Sequence, residues 1–266
     1  MQLSRGDIHV WLTFLDEVRD EILLQTYRGV LCASELLQEK RFHFAADRKR
    51  YLVTRTLVRE VLASYLGIDA NSCEFSHDEY GRPHLKNARA ESSGLVFSIS
   101  HSDGLIALAV TLQRSLGIDV ERLDPRRSSD AVAKHFFAPS EVAALLALPE
   151  LKRVHRFFEY WTFKESYVKA RGMGLSIPLD QFSFRLSGEH SVGFTTREKL
   201  AGDSTQWSFW QLRPSPEYIL AICAQRWNAG HSGLIVRKII PSRSRESLDL
   251  KFTRSSERDV ETSVVD

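Results

Sequence analysis

The stretch from Trp161 to Leu175, WTFKESYVKARGMGL, sets a glutamate and a lysine among aromatic and small residues. At a helical advance of about 100° per residue, Trp161, Glu165, Val168 and Lys169 share one face. A solvated face would be charged throughout and a core face apolar throughout, so the mixture points to a helix lining a cleft. The plainer alternative is an exposed Glu-to-Lys pair one turn apart, which adds a few tenths of a kcal/mol to a helix. A second charged group lies in LGIDVER, where a strand would send Asp119 and Glu121 to one side and Ile118 and Val120 to a core on the other. Two carboxylates about 7 Å apart along a strand repel unless a cation stands between them, and a hard divalent ion such as Mg²⁺ suits that place. An exposed strand face, or an ion pair with Arg122, is the alternative there. The third group is SISHSDG, with Ser98, Ser100, His101 and Ser102 where a strand enters a turn. Hydroxyls, amides and an imidazole in that position suit phosphate oxygens, although the same residues also serve ordinary hairpins. A hydrolytic Ser-His pair is disfavoured, because neighbours on a strand point in opposite directions and no GxSxG elbow is present.

The elements that must hold these residues follow from pattern. DIHVWLTF alternates as a strand. From Ser34 to Leu66 apolar residues recur at helical spacing around Leu52, Leu57, Val61 and Leu62, and Gly67 is placed to stop the helix. CEFSHDEYGRPHL reads as two short strands around a turn at Tyr80 to Pro83, and LVFSISHSDGLIALAVT as two strands joined through Ser102-Asp103-Gly104. LGIDVER opens the second half as a strand. SSDAVAKHFFAPSEVAALLAL gives two helical pieces broken near Pro139, Pro149 leads into the helix that carries Glu165, and short strands follow in QFSFRL, SVGFTT, QWSFWQL and YILAICA. The expected fold is α+β, with two α/β lobes: residues 1–114 and 115–227. Residues 228–266, rich in Ser and Arg apart from the apolar run GLIVRKII, are expected to form a mobile tail with little core.

Composition narrows the function classes. The 36 basic and 34 acidic residues leave a net charge of +2, which does not predict general nucleic-acid binding. Cys32, Cys73 and Cys223 are far apart and form no CxxC pair, as expected of free thiols in a reducing cytoplasm. The N-terminus lacks the basic start and long apolar run of a signal peptide, and no stretch approaches the roughly 20 apolar residues that span a bilayer. A cytoplasmic protein without membrane or nucleic-acid partners is expected.

SISHS, then GIDVER, then WTFKESYVKARGMGLSIPLDQFSF, in that order and spacing, resemble the 4'-phosphopantetheinyl transferases of the Sfp type. The resemblance extends to YGRP, similar to that family's GKP turn, and covers about residues 5 to 226. It implies transfer of 4'-phosphopantetheine from coenzyme A to a serine of an apo acyl or peptidyl carrier protein, with adenosine 3',5'-bisphosphate leaving. It also implies a monomer of two similar lobes related by a pseudo-twofold axis, with the site in the cleft between them. Carried over by residue, Asp119, Glu121 and Glu165 would hold Mg²⁺ with the pyrophosphate, and Lys169 would contact phosphate. Ser100 and His101 would hold the phosphate side of coenzyme A, and Gly81, Arg82 and Pro83 would border its nucleotide. Glu165 is then the candidate general base, directly or through water, and Lys164 a second candidate for phosphate. Two other functions use the same residues: a non-catalytic carrier-binding homologue, and a Mg²⁺-dependent pyrophosphate hydrolase. One departure stands out: Gln38 occupies the place where the family commonly has a basic residue against the 3'-phosphate, before the aromatic pair Phe42 and Phe44. His135 to Leu148 is a candidate for the apolar part of a carrier-docking surface, or else a buried amphipathic segment.

Overall fold

The computed structural model describes residues 1–86, 88–197, 200, 204–227 and 232–257. Strand β1 (Ile8–Phe14) precedes helices α1 (Glu21–Arg28), α2 (Ala33–Arg41) and α3 (Ala45–Leu66). The short hairpin β2 (Phe75–His77) and β3 (Pro83–Leu85), helix α4 (Ala88–Ser93), and the hairpin β4 (Leu95–Ser102) and β5 (Leu105–Leu112) complete the first half. The second half runs β6 (Leu116–Arg122), α5 (Asp130–Phe136), α6 (Pro139–Leu146), α7 (Glu150–Arg171), β7 (Phe182–Ser187), β8 (Ser191–Thr196), β9 (Trp207–Ser215) and β10 (Tyr218–Gln225). The chain then forms β11 (Leu234–Ile240), β12 (Ser244–Leu248) and β13 (Phe252–Ser255).

Besides the β2–β3 hairpin, the described residues form two sheets, one ordered β12-β11-β1-β5-β4 and the other β6-β10-β9-β13-β8-β7. Strand alternation stacks them in layers. Along β5, Ile106, Leu108 and Val110 face a core with α3, while Leu105, Ala107 and Ala109 face the other sheet. Along β10, Leu220, Ile222 and Ala224 meet that first sheet, while Ile219, Ala221 and Cys223 pack under α7. The order is therefore α3, sheet, sheet, α7. Each half presents a 22-residue helix on its outer face, and each helix ends at a left-handed glycine, Gly67 or Gly172, where a side chain would be strained. The halves are two lobes of similar build.

The expected single helical run from Ser34 to Leu66 is two helices, because Phe42 is extended (ψ 129°) and turns its ring onto Tyr51 at 5.3 Å. The coreless-tail expectation is corrected for residues 232–257. β11 pairs in parallel with the interior strand β1, burying Leu234, Val236 and Ile239, and β13 lies between β9 and β8. The remaining positions of the expected tail, 228–231 and 258–266, lie outside the described residues.

Candidate active site

β4 and β6 are edge strands of different sheets, and they meet side by side. The alternation expected for β6 holds: Ile118 and Val120 are fully buried between the sheets, which turns Asp119 and Glu121 towards α7 and β4. An edge strand leaves every second N–H unpaired. Here the hydroxyls of β4 satisfy them: Ser98 Oγ accepts from Ile118 N at 3.1 Å, Ser100 Oγ from Val120 N at 3.3 Å and Ser102 Oγ from Arg122 N at 2.9 Å. Two of the same hydroxyls donate onward, Ser100 to Asp119 Oδ1 and Ser102 to Glu121 Oε2, both at 2.9 Å. The serines spaced by two are thus a ladder between lobes that also orients the carboxylates. Their period was visible in the sequence; their partner strand was not.

Helix α7 closes the site from the other side, lying so near β6 that a Cβ on Gly117 would stand 2.0 Å from Ser166 O. This places Lys169 Nζ 2.7 Å from Asp119 Oδ1. Glu165, one turn earlier and half-buried, faces the same carboxylates; burial first, and Asp119 second, push its carboxyl up to about 7, against the pull of Lys169. Burial and Asp119 likewise raise Glu121, opposed by Arg127, whose Nη1 lies 3.1 Å from Glu121 Oε2. Asp119 Oδ2 is buried without a hydrogen-bond partner.

This donor set fits a hard cation in chemistry: carboxylate oxygens, one of them orphaned, in a cluster where burial and then mutual repulsion raise two of the members. Among the described residues no three His, Cys, Asp or Glu side chains already stand as a preformed metal cage. Lys169 and Arg127 supply positive charge to Asp119 and Glu121 instead.

Beside the carboxylates is a cavity of about 260 Å³, walled by Tyr80 to Pro83 and Phe97 to Ile99 from one lobe and by Glu165, Val168, Lys169, Gly172 and Gly174 from the other. The YGRP turn is built by Asp78, whose Oδ1 accepts from Tyr80 N and Arg82 N at 2.9 Å, with Gly81 at φ 80°. Arg82 is a clamp here: its guanidinium donates to Lys169 O at 3.2 Å and Leu116 O at 3.1 Å, tying the turn to α7 and β6. His101 is exposed on the opposite face of β4 from the serines. Desolvation and then the Arg50 guanidinium hold its imidazole below the ordinary value. Sequence reading missed Arg50, which comes from α3 by folding alone, and Arg127, whose only one-dimensional signal is its place in ERLDPRR after the strand.

Lys164 does not reach the site. It is fully buried on the far face of α7, 2.7 Å from Glu141 Oε2, and donates to Leu179 O and Phe182 O. Burial pushes both partners towards their neutral forms, Lys164 down and Glu141 up, against their mutual attraction. Gln38 is half-buried on α2, and its carbonyl faces Arg41 at 3.4 Å. Of His135 to Leu148, Phe137 and Leu145 are core, while Phe136 is 39% exposed with its ring nearly perpendicular to that of Trp161. No described helix is long and apolar enough to cross a membrane.

Known proteins match both halves of the chain. Residues 115–223 match the 4'-phosphopantetheinyl transferase superfamily, and residues 24–113 match the 4'-phosphopantetheinyl transferase N-terminal family. The chain is 33% identical over 222 residues to 4'-phosphopantetheinyl transferase HetI of Nostoc sp., spanning 84% of this chain and 89% of that protein. It is also 33% identical over 185 residues to 4'-phosphopantetheinyl transferase Sfp of Bacillus subtilis, spanning 70% of this chain and 78% of that one. With both lobes matched in order and the charged cleft lying between them, the chain belongs to the 4'-phosphopantetheinyl transferase superfamily.

Proposed function

We propose that the protein transfers the 4'-phosphopantetheine of coenzyme A to a serine of an apo acyl or peptidyl carrier protein in a Mg²⁺-dependent reaction. The observation that carries this reading is the convergence of Asp119, Glu121 and Glu165 with Lys169 at the mouth of a cavity walled by both lobes. Asp119, Glu121 and Glu165 would hold the cation, which when bound supplies charge to the pyrophosphate oxygens. With Asp119 so engaged, Lys169, now 2.7 Å from Asp119 Oδ1, would be free to meet phosphate. Coenzyme A would lie along Gly81, Arg82 and Pro83 with its phosphates towards His101, while Ser100, whose hydroxyl is held between Val120 N and Asp119, would serve the phosphate side by orienting Asp119. Phe136 and Trp161, one turn before Glu165, offer an apolar contact for the incoming carrier.

The carrier serine must lose a proton as its oxygen attacks the β-phosphorus and adenosine 3',5'-bisphosphate departs with the electrons of the broken P–O bond. Glu165 would take that proton, directly or through a water, as the carboxylate on the site face of α7 one turn from Lys169. Lys169 stabilises the charge that moves to the leaving phosphate. Incubation with coenzyme A, Mg²⁺ and an apo carrier, followed by mass measurement, tests this. A phosphopantetheine adduct supports transfer; unchanged carrier with cleaved coenzyme A makes the protein a hydrolase, and unchanged carrier with intact coenzyme A a binder only. Asp119→Ala should abolish the adduct, and Glu165→Gln should lower its rate by about 10²-fold or more.

A further inference from the structure

The strand at the C-terminal end of the described chain reaches the catalytic helix from behind. β13 enters the second sheet between β9 and β8, antiparallel to one and parallel to the other, and lies beyond both family-matched ranges, which end by residue 223. It carries little apolar surface, yet Arg254 on it is buried. Arg254 Nε donates to Glu159 Oε1 on α7 at 2.8 Å, and Nη1 donates to Gly188 O and Ser191 O at 3.3 Å. One guanidinium therefore fixes the catalytic helix to the β7–β8 hairpin. Glu159 is 5% exposed, and its other oxygen accepts from Arg156 Nε at 2.8 Å. A second tie runs beside the first: Thr253 Oγ1 donates to Gln211 O, and Gln211 Nε2 donates to Glu159 O and Thr162 Oγ1.

We infer that Arg254 and Glu159 are positioning residues for the transferase reaction: the planar fork of Arg254 sets the rotation of α7 and so the placement of Glu165 and Lys169 on its site face. This rests on the transferase reading above. Apolar packing resists separation of helix and sheet strongly, and sliding or turning through side-chain fit alone. A buried guanidinium with three fixed acceptors resists both, because each hydrogen bond is directional. The coenzyme A cavity takes half its wall from the other lobe, so a turned helix would damage the chemical step more than binding.

The test uses the full chain with Arg254→Met, Arg254→Lys, and the paired change Glu159→Met with Arg254→Met, which replaces the ion pair by apolar groups of similar length. Arg254→Met should lower kcat by about 10- to 100-fold with KM for coenzyme A within about twofold, and should lower Tm. Arg254→Lys should fall between it and wild type. The paired variant should regain much of the Tm, as apolar replacements of buried ion pairs commonly do, without regaining kcat. Amide hydrogen exchange over residues 158–165 should be faster than in wild type in the paired variant, a readout independent of turnover. Recovery of kcat together with Tm in the paired variant, or unchanged exchange in that segment, overturns the positioning role. If Arg254→Met fails to fold, the Lys and paired variants decide. If wild type forms no adduct, the transferase reading fails and the exchange measurement alone judges the helix tie.

Discussion

Gly117 offers a quantitative test of how closely β6 and α7 must approach. A Cβ at this position would lie 2.0 Å from Ser166 O, 2.4 Å from Ala170 N and 3.0 Å from Lys169 Cβ. The first two are helix backbone, so no side-chain rotation relieves them. Restoring an ordinary contact of about 3.4 Å requires the helix and strand to part by about 1.4 Å along that direction. The Lys169 to Asp119 contact, now 2.7 Å, would then open to about 4 Å, the outer limit of an ion pair. Overpacking of this kind typically costs 1–3 kcal/mol, and displacement of reacting groups by about 1 Å can cost 10²-fold in rate. Gly117→Ala should therefore fold with a lowered Tm and lose about 10²-fold in kcat/KM for carrier modification, followed by mass spectrometry. Gly193→Ala is the control, since its Cβ would meet nothing nearer than 3.8 Å. Gly117→Ala within threefold of wild-type activity, with unchanged Tm, would show that the helix is not seated as described.

Two further outcomes test the cores. His9 is 2% exposed, beside the Tyr65 hydroxyl at 2.7 Å, and burial followed by the Arg237 charge lowers its imidazole to about 4. From pH 6.5 down to 4 the unfolded chain takes up a proton that the folded chain refuses, so this site should remove about 3 kcal/mol of stability over that window and none above it. Denaturant melts against pH should show a shallower acid slope in His9→Gln, and an identical slope would refute the assignment. Lys164→Met leaves Glu141 uncompensated in a fully buried site, at a cost of about 3–5 kcal/mol and a Tm fall on the order of 10 °C; a thermal melt within 2 °C or so of wild type would refute it.

Much of this architecture was legible where a residue's role is decided by its neighbours in sequence. Ile118 and Val120 against Asp119 and Glu121, the glycine stop at Gly67, the Asp103-Gly104 hairpin and the break before Pro139 all depend on local geometry. Roles set by long-range packing were not legible. Ser98 and Ser102 gain theirs from β6, twenty residues on, and Arg50 from the way α3 lies across the first sheet. Lys164 and Lys169 are alike in composition and five residues apart, yet one is interred with Glu141 and the other stands in the cleft. The C-terminal strands were misread for a physical reason: FTRS gains its burial by insertion between neighbours, so composition understates it.

The parallel pairing of β1 with β11 sets a timetable for synthesis. β1 lies inside the first sheet, hydrogen-bonded to β5 on one side and to β11 on the other, and β11 leaves the ribosome about 220 residues after β1 does. At roughly 5–20 residues per second, the N-terminal strand waits for about 11 to 44 s with an unpaired edge flanked by Ile8, Val10 and Leu12. A chain stopped before Leu234 would keep that edge for its whole life, open to pairing with other chains. Soluble expression should therefore depend steeply on including β11, and a chaperone that shields strand edges during synthesis should raise the yield of the complete chain.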